Sequence, residues 1–166
     1  TIATVPPYAV VDEGDMVATV KTIPFAVAEV VVERCAALCA ERLLEVAPFL
    51  PRRAGLVLTR LPGVADGQLD RAAASQRARL AFLGSKLIRE DRCSHDAEAV
   101  AAALSSMKDE GLSPLLVLGA SAIVDRRDVV PRGLELAGGT VAHLGMPVDP
   151  GNLLLVGQLD GVPVVG

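Results

Sequence analysis

Four aspartates that follow strand-like apolar runs, and one loop of small residues, are the groups in this sequence that could do chemistry. The aspartates are Asp70, Asp96, Asp125 and Asp128. The loop is Gly119-Ala120-Ser121, directly after the apolar run Leu115–Leu118. Carboxylate oxygens are ligands that Mg²⁺ prefers, and backbone N–H groups in an open loop can bind an anion. If the preceding strands are parallel neighbours, these residues lie at one edge of a sheet and predict a magnesium-bridged phosphate site.

Each of these carboxylates also has a structural explanation. Asp96 stands where the N-cap of a helix is expected. Asp125 and Asp128 are close in sequence to several arginines and could pair with them. The residues alone leave both interpretations of each carboxylate open.

The familiar nucleotide, zinc and serine-hydrolase motifs are missing from the sequence. Gly119 stands alone, so a G-x-G-x-x-G fingerprint fails, and no P-loop Gly-Lys-Ser/Thr occurs. The only two histidines, His95 and His143, are far apart in sequence, which argues against zinc. A triad of Ser121, His95 and Asp125 could be nominated, but the G-x-S-x-G elbow is absent and this interpretation is disfavoured.

Strand-like and helix-like segments alternate from residue 54 onward, and their order predicts the fold. Strands are predicted at 54–59, 86–88, 114–118 and 140–143, and helices at 69–83, 95–110 and 129–136. Two further short strands, 153–156 and 162–165, flank a Leu-Asp-Gly turn and predict a hairpin at one edge of the sheet. Such alternation implies right-handed crossovers. The predicted fold class is α/β, a three-layer α/β/α arrangement with a mainly parallel sheet and an edge hairpin.

Residues 1–25 predict an N-terminal β arm. Met16–Lys21 alternates like a half-buried strand, and a Glu-Gly-Asp turn is expected to reverse the chain from Tyr8–Val11 into it. A helix is predicted from Ala28 to Val46. We therefore divide the chain into the arm and an α/β domain, residues 26–166. Because the chain starts with Thr and stops after an apolar run, we expect it to be a piece of a longer protein.

Charge and composition exclude several classes of protein. The net charge is −4 and the basic residues are scattered, which argues against a nucleic-acid surface. The longest apolar run is interrupted by Glu29, Glu33 and Arg34, so no membrane partner is expected. The cysteine count is 3, an odd number, which predicts a reducing compartment and hence a cytoplasmic location.

Longer segments of the chain resemble the molybdopterin-binding domains of molybdopterin molybdotransferases and adenylyltransferases. Residues 115–157 are similar to that family's segment from a Thr-Gly-Gly loop through an Asp-bearing helix start to a Pro-Gly loop. Residues 55–70 resemble its first strand and Gly-x-x-Asp-x-Asn turn, and residues 84–104 its second strand, acidic turn and helix. Residues 14–27 are similar to a lead-in of the branch that precedes a nucleotidyltransferase module for the molybdenum cofactor.

The resemblance implies a molybdopterin pocket at the strand-end loops, with the phosphate and dithiolene of the pterin over the glycine loop. The cofactor-binding positions that it implies are Gly119, Ala120, Ser121, Asp96, Asp128, Pro150, Gly151 and Asn152. Asp70 and Asp125 would be the catalytic acids and the Mg²⁺ ligands.

Departures from the family pattern favour binding over catalysis. A loop hydroxyl, a second loop glycine, a turn asparagine, an acid and a lysine are replaced, in that order, by Leu118, Ala120, Ala72, His95 and Asn152. The preferred function is therefore binding of molybdopterin or molybdenum cofactor in cofactor biosynthesis or handling, and its presentation to a fused or partner nucleotidyltransferase. A magnesium-dependent transferase of molybdate or adenylyl groups is the first alternative. A non-catalytic interaction module is the second, and a homo-oligomer is expected.

Overall fold

A computed structural model describes residues 1–39, 44–63 and 65–166. The chain divides into two compact units, Thr1–Ala47 and Pro48–Gly166. These compact units meet after Ala47, and the division of the chain into an arm of residues 1–25 and a domain of residues 26–166 stays a prediction.

The first unit contains a short antiparallel pair of strands. Strand β1 (Ile2–Thr4) pairs with β2 (Ala18–Val20). The chain reverses between them through the predicted turn, where Gly14 has a φ of +97°. A strand is thus present within Met16–Lys21, but it is shorter than predicted and mostly exposed rather than half-buried.

The prediction that Tyr8–Val11 pairs with that strand is wrong. Pro6 and Pro7 have no backbone N–H to donate to a neighbouring strand. The chain turns at Tyr8, whose φ is 63°, and the Ala9 N–H donates to the Pro6 carbonyl at 3.2 Å. The strand that pairs is instead the segment before the two prolines.

Helix α1 (Glu29–Leu38) covers the first half of the helix predicted from Ala28 to Val46. Residues 40–43 of that prediction lie outside the described residues, and Leu44 and Glu45 are not helical. None of the residues of α1 is buried. No helix in the described ranges is both long and apolar enough to span a bilayer.

The second unit is built on one six-stranded sheet with the order β4-β3-β5-β8-β7-β6. Its strands are β3 (Arg53–Arg60), β4 (Lys86–Ser94), β5 (Leu115–Leu118), β6 (Thr140–Leu144), β7 (Leu155–Leu159) and β8 (Val162–Val165). Its helices are α2 (Asp66–Phe82), α3 (Ala97–Asp109) and α4 (Val129–Leu136). Because β7 is antiparallel to both of its neighbours and the other pairs are parallel, every strand except β7 runs in one direction.

Buried side chains on both faces of this sheet confirm the three-layer α/β/α fold. Leu56 and Leu58 point to one face, where they pack with Leu69 and Ala73 of α2. Val57 belongs to a larger cluster on the other face, which α3 and α4 cover. The alternation of side chains along β3 therefore supplies two cores.

The predicted hairpin is present, but its place in the sheet differs from the prediction. Asp160 and Gly161 at its turn have φ values of 49° and 80°, as a two-residue turn between twisted strands requires. Strand β8 pairs with β5, and β6 forms the outer edge. Leu155 and Val164 are fully buried. Their apolar side chains suit the interior of the sheet, where both hairpin strands have a neighbour on each side.

Strand β4 is longer than the predicted segment 86–88, and the loop expected after Ile88 begins only at His95. The charged residues of β4 are held on both faces of the sheet. Arg89 donates to Ser106 of α3 at 2.9 Å, and Arg92 donates to Asp70 of α2 at 2.6 Å. This hydrogen bond to Ser106 and the ion pair with Asp70 let a charged sequence continue as an edge strand.

We expect Gly157→Ala to destabilise the second unit by about 1–3 kcal/mol, as overpacking does. A Cβ on Gly157 would lie 2.5 Å from Leu134 Cδ2 and 2.6 Å from the Thr140 carbonyl oxygen. The matched control is Gly67→Ala in α2, where nothing lies within 4 Å of the added carbon. That change should stabilise by about 0.5–1 kcal/mol. Urea unfolding of both variants tests this difference, and equal midpoints would contradict it.

Candidate functional site

The carboxyl ends of β3, β4 and β5 lie side by side at one edge of the sheet. Thr59 of β3 is in register with Cys93 of β4, and Leu58 with Leu118 of β5. The residues at these ends are Thr59, His95, Gly119, Ala120 and Ser121, which we call the strand-end site. The predicted convergence of the three loops is thus present.

The Thr59 hydroxyl ties the three strand ends together. Thr59 is 1% exposed, so its oxygen needs partners within the protein. It accepts the Ala120 N–H at 2.7 Å and lies 2.8 Å from Nδ1 of His95. Sequence analysis did not single out this residue, although a threonine ending a buried apolar strand was a usable signal.

His95 connects Thr59 to the loop after β5. Its Nε2 lies 2.9 Å from the Ser121 hydroxyl oxygen, and its backbone N–H donates to the Arg60 carbonyl at 3.1 Å. Ser121 and His95 are therefore paired as a triad would pair them. The third partner is Thr59 rather than Asp125, so the nominated triad is not assembled.

Gly119 stands where a side chain would collide with its own loop and with α4. A Cβ there would lie 2.9 Å from the Ser121 carbonyl oxygen and 3.2 Å from Cγ2 of Val130. It would also lie 3.8 Å from Cε1 of His95. The small-residue character of the loop is therefore a packing requirement of the strand-end site.

The loop presents unpaired hydrogen-bond donors to solvent. Ser121 and Ala122 are exposed, and their backbone N–H groups have no acceptor within the described ranges. Only the N–H of Ala120 is directed inward, to Thr59. Like the Ser121 hydroxyl, these N–H groups are donors that could form hydrogen bonds to an anion.

Asp96 is the N-cap of α3, which is the structural role that its position in the sequence also predicted. One carboxylate oxygen accepts the Ala99 N–H at 2.7 Å, and the Ser94 hydroxyl donates to the other. These two hydrogen bonds, that from Ser94 foremost, lower the pKa of Asp96. A role for Asp96 in cofactor binding stays a prediction.

Asp125 and Asp128 shape the connection between β5 and α4. Asp128 accepts the backbone N–H groups of Val124 at 2.6 Å and Asp125 at 2.9 Å. Asp125 accepts the Arg127 N–H at 2.6 Å, and its second oxygen lies 3.3 Å from the Arg127 guanidinium. These contacts with Arg127 lower the pKa of Asp125.

The residues present do not fit the predicted magnesium site. Asp70 pairs with Arg92 at 2.6 Å, and Asp125 with Arg127. Within the described ranges no group of at least three His, Cys, Asp or Glu side chains is placed to hold a metal ion. The arginine partners explain the difference, because they satisfy the carboxylates in place of a cation.

The predicted Pro150-Gly151-Asn152 loop connects β6 to β7 at the same end of the sheet. The peptide bond before Pro150 is cis, Gly151 has a φ of +115°, and the Asn152 carbonyl accepts the Met146 N–H at 3.1 Å. Strand β6 lies three positions from β5 in the sheet, roughly 14 Å at ordinary strand spacing. No hydrogen bond among the described residues joins this loop to the strand-end site.

A cavity of about 420 Å³ lies on the α3 side of β4. Arg89, Asp91, Cys93 and Ser106 line it together with small residues of α3. Burial, and secondarily the nearby carboxylates, raise the pKa of the Cys93 thiol. None of the residues of the strand-end site contributes to these walls.

Comparison with solved structures finds similarity to the crystal structure of the molybdopterin biosynthesis protein MoeA from Pyrococcus horikosii. The TM-score is 0.48 and the identity is 19%, over 81% of this chain and 34% of the MoeA chain. The present chain thus spans about a third of the length of that protein. No protein-family model and no curated protein matches the sequence.

Asp96 should make stability depend on pH in the acidic range. Because its pKa is lower in the folded state than the roughly 3.9 of an unfolded aspartate, its contribution is present above that value and is lost as pH falls through the folded pKa. In Asp96→Asn the amide oxygen can still cap α3, but the residue no longer titrates. We therefore expect a shallower loss of stability between about pH 5 and pH 2. Urea midpoints across this range test it, and parallel curves for both proteins would contradict it.

Proposed function

We propose that the second unit binds molybdopterin or molybdenum cofactor at the strand-end site and presents it to a fused or partner nucleotidyltransferase during cofactor biosynthesis. The observation that carries this proposal is the hydrogen-bonded chain from Thr59 through His95 to Ser121. It fixes the loop at which the sequence resemblance expects the phosphate of the pterin.

The chemistry of the loop supports a phosphate ligand. The Ser121 hydroxyl and the free N–H groups of Ser121 and Ala122 supply donors for phosphate oxygens. Arg126, in the connection between β5 and α4, donates to the Val141 carbonyl and has no carboxylate partner among the described residues. It is a positive charge in the same connection as Ser121 and Ala122, which favours an anionic ligand.

The engagement of the acids supports binding rather than group transfer. Asp70, Asp96 and Asp125 each accept hydrogen bonds from groups of the chain itself. A transferase that used them to hold a metal would first have to break these bonds. The proposal therefore assigns the chain no catalytic acid.

We expect the protein to bind molybdopterin at tens of micromolar or tighter in an anaerobic titration followed by fluorescence. Ser121→Ala should weaken binding at least tenfold, because a hydrogen bond to a charged group is worth about 1.5–3 kcal/mol. The matched control is Ser106→Ala, which removes a hydroxyl that bonds Arg89. Wild-type protein without measurable binding, or equal effects of the two substitutions, would count against the proposal.

Self-association through the first unit is a further part of the proposal. Ile2, Val20, Ile23 and Phe25 of this unit are exposed apolar residues. We expect the intact chain to form a homo-oligomer and a chain lacking residues 1–25 to have a lower molar mass per particle in light scattering. Phe25→Ser in the intact chain should also lower the molar mass per particle, and this variant keeps both strands of the first unit. An oligomer that neither change affects would remove the arm from the proposal.

A further inference from the structure

We infer that His95 is a positioning residue which carries its hydrogen on Nε2, and that it makes the Ser121 hydroxyl a hydrogen-bond donor to the ligand. The ligand group bound there is then an acceptor, an oxygen of a tetrahedral oxyanion such as a phosphate monoester. The identity of this ligand as a pterin phosphate rests on the proposed function, whereas the hydrogen position on His95 does not.

The hydrogen of the Thr59 hydroxyl determines which nitrogen of His95 is protonated. The Thr59 oxygen has two partners among the described residues, the Ala120 N–H and Nδ1 of His95. The Ala120 N–H can only donate, so the hydroxyl hydrogen of Thr59 has one available acceptor, Nδ1. If Nδ1 carried a hydrogen instead, this hydroxyl hydrogen would be left without an acceptor. Thr59 is 1% exposed, and such a loss costs about 1–3 kcal/mol.

The state of Nδ1 sets the state of the other ring nitrogen. A neutral imidazole has one N–H, so a bare Nδ1 places the hydrogen on Nε2. Nε2 lies 2.9 Å from the Ser121 oxygen and therefore donates to it. The hydrogen of the Ser121 hydroxyl is then free to point to solvent or to a ligand.

This direction excludes Ser121 as a nucleophile activated by His95. A general base must accept the hydroxyl hydrogen, and Nε2 already holds one. The Ser121 hydroxyl instead joins the free N–H groups of Ser121 and Ala122 as a donor. A set in which two backbone N–H groups and a hydroxyl hydrogen are available favours an anionic oxygen over a metal ion.

The histidine also reverses the direction of the hydrogen bond to Ser121 that an acid at position 95 would give. The family that the sequence resembles has an acid where His95 stands. A carboxylate can only accept, so it would take the Ser121 hydroxyl hydrogen and leave oxygen lone pairs facing the ligand. With His95 the same serine presents its hydrogen.

Nitrogen-15 NMR of the imidazole rings tests the hydrogen position directly. The chain has only two histidines, so His143→Gln identifies the signals of His95. We expect a protonated Nε2 and a bare Nδ1 in the ligand-free protein near neutral pH. Thr59→Val should abolish this preference and Thr59→Ser should restore it. A protonated Nδ1 in the wild type, which needs no variant to observe, would overturn the inference, as would a tautomer unchanged in a folded Thr59→Val protein.

Inorganic phosphate is the probe for the ligand class. We expect it to shift the Ser121 and Ala122 amide signals, with about tenfold weaker binding in Ser121→Ala, while sodium chloride at equal ionic strength does not. Equal shifts with both salts would overturn the oxyanion assignment. A protonated Nε2 and phosphate binding without molybdopterin binding would refute the proposed function and support this inference. Molybdopterin binding with a protonated Nδ1 would do the reverse.

Discussion

The strand ends of the second unit depend on one buried hydroxyl. Thr59 is 1% exposed because β3 lies between β4 and β5 and has a helix layer on each face. Its oxygen cannot reach water, so it must find its partners in the neighbouring strand ends. Those partners are His95 after β4 and the Ala120 amide after β5. Satisfying one polar group thereby fixes the relative position of two loops.

The same strand organises the packing of the unit. Successive residues of β3 point to opposite faces, so Leu56 and Leu58 face α2 and Val57 faces α3. Gly55 extends this arrangement, since a Cβ there would lie 2.6 Å from the Met107 sulfur. The strand that joins both cores is thus also the one that ends in Thr59. A displacement of β3 would alter the cores and the strand-end site together.

Local sequence patterns predicted those elements whose pattern is set by burial. Helix α4 has the predicted bounds, and Leu115–Leu118 is the predicted strand. Strand β4 was cut short because its charges, such as Arg89 and Arg92, pair with helices distant in sequence and so carry no apolar alternation. The hydrogen bond between Thr59 and His95 was not predicted for a related reason. Thr59 and His95 are 36 residues apart, and only the β3–β4 register brings them together.

The strand-end aspartates have, in the structure, the structural roles that the sequence left open beside metal binding. Carboxylates at strand ends have two uses, since they can hold a cation or accept the N–H groups of turns and helix starts. Here Asp96 accepts from Ala99, and Asp128 accepts from Val124 and Asp125. These carboxylates at the edge of the sheet therefore accept hydrogen bonds from backbone N–H groups of the chain itself. The groups that the loop leaves exposed are hydrogen-bond donors, the Ser121 hydroxyl and the N–H groups of Ser121 and Ala122, which is why the proposed ligand is an anion and not a cation.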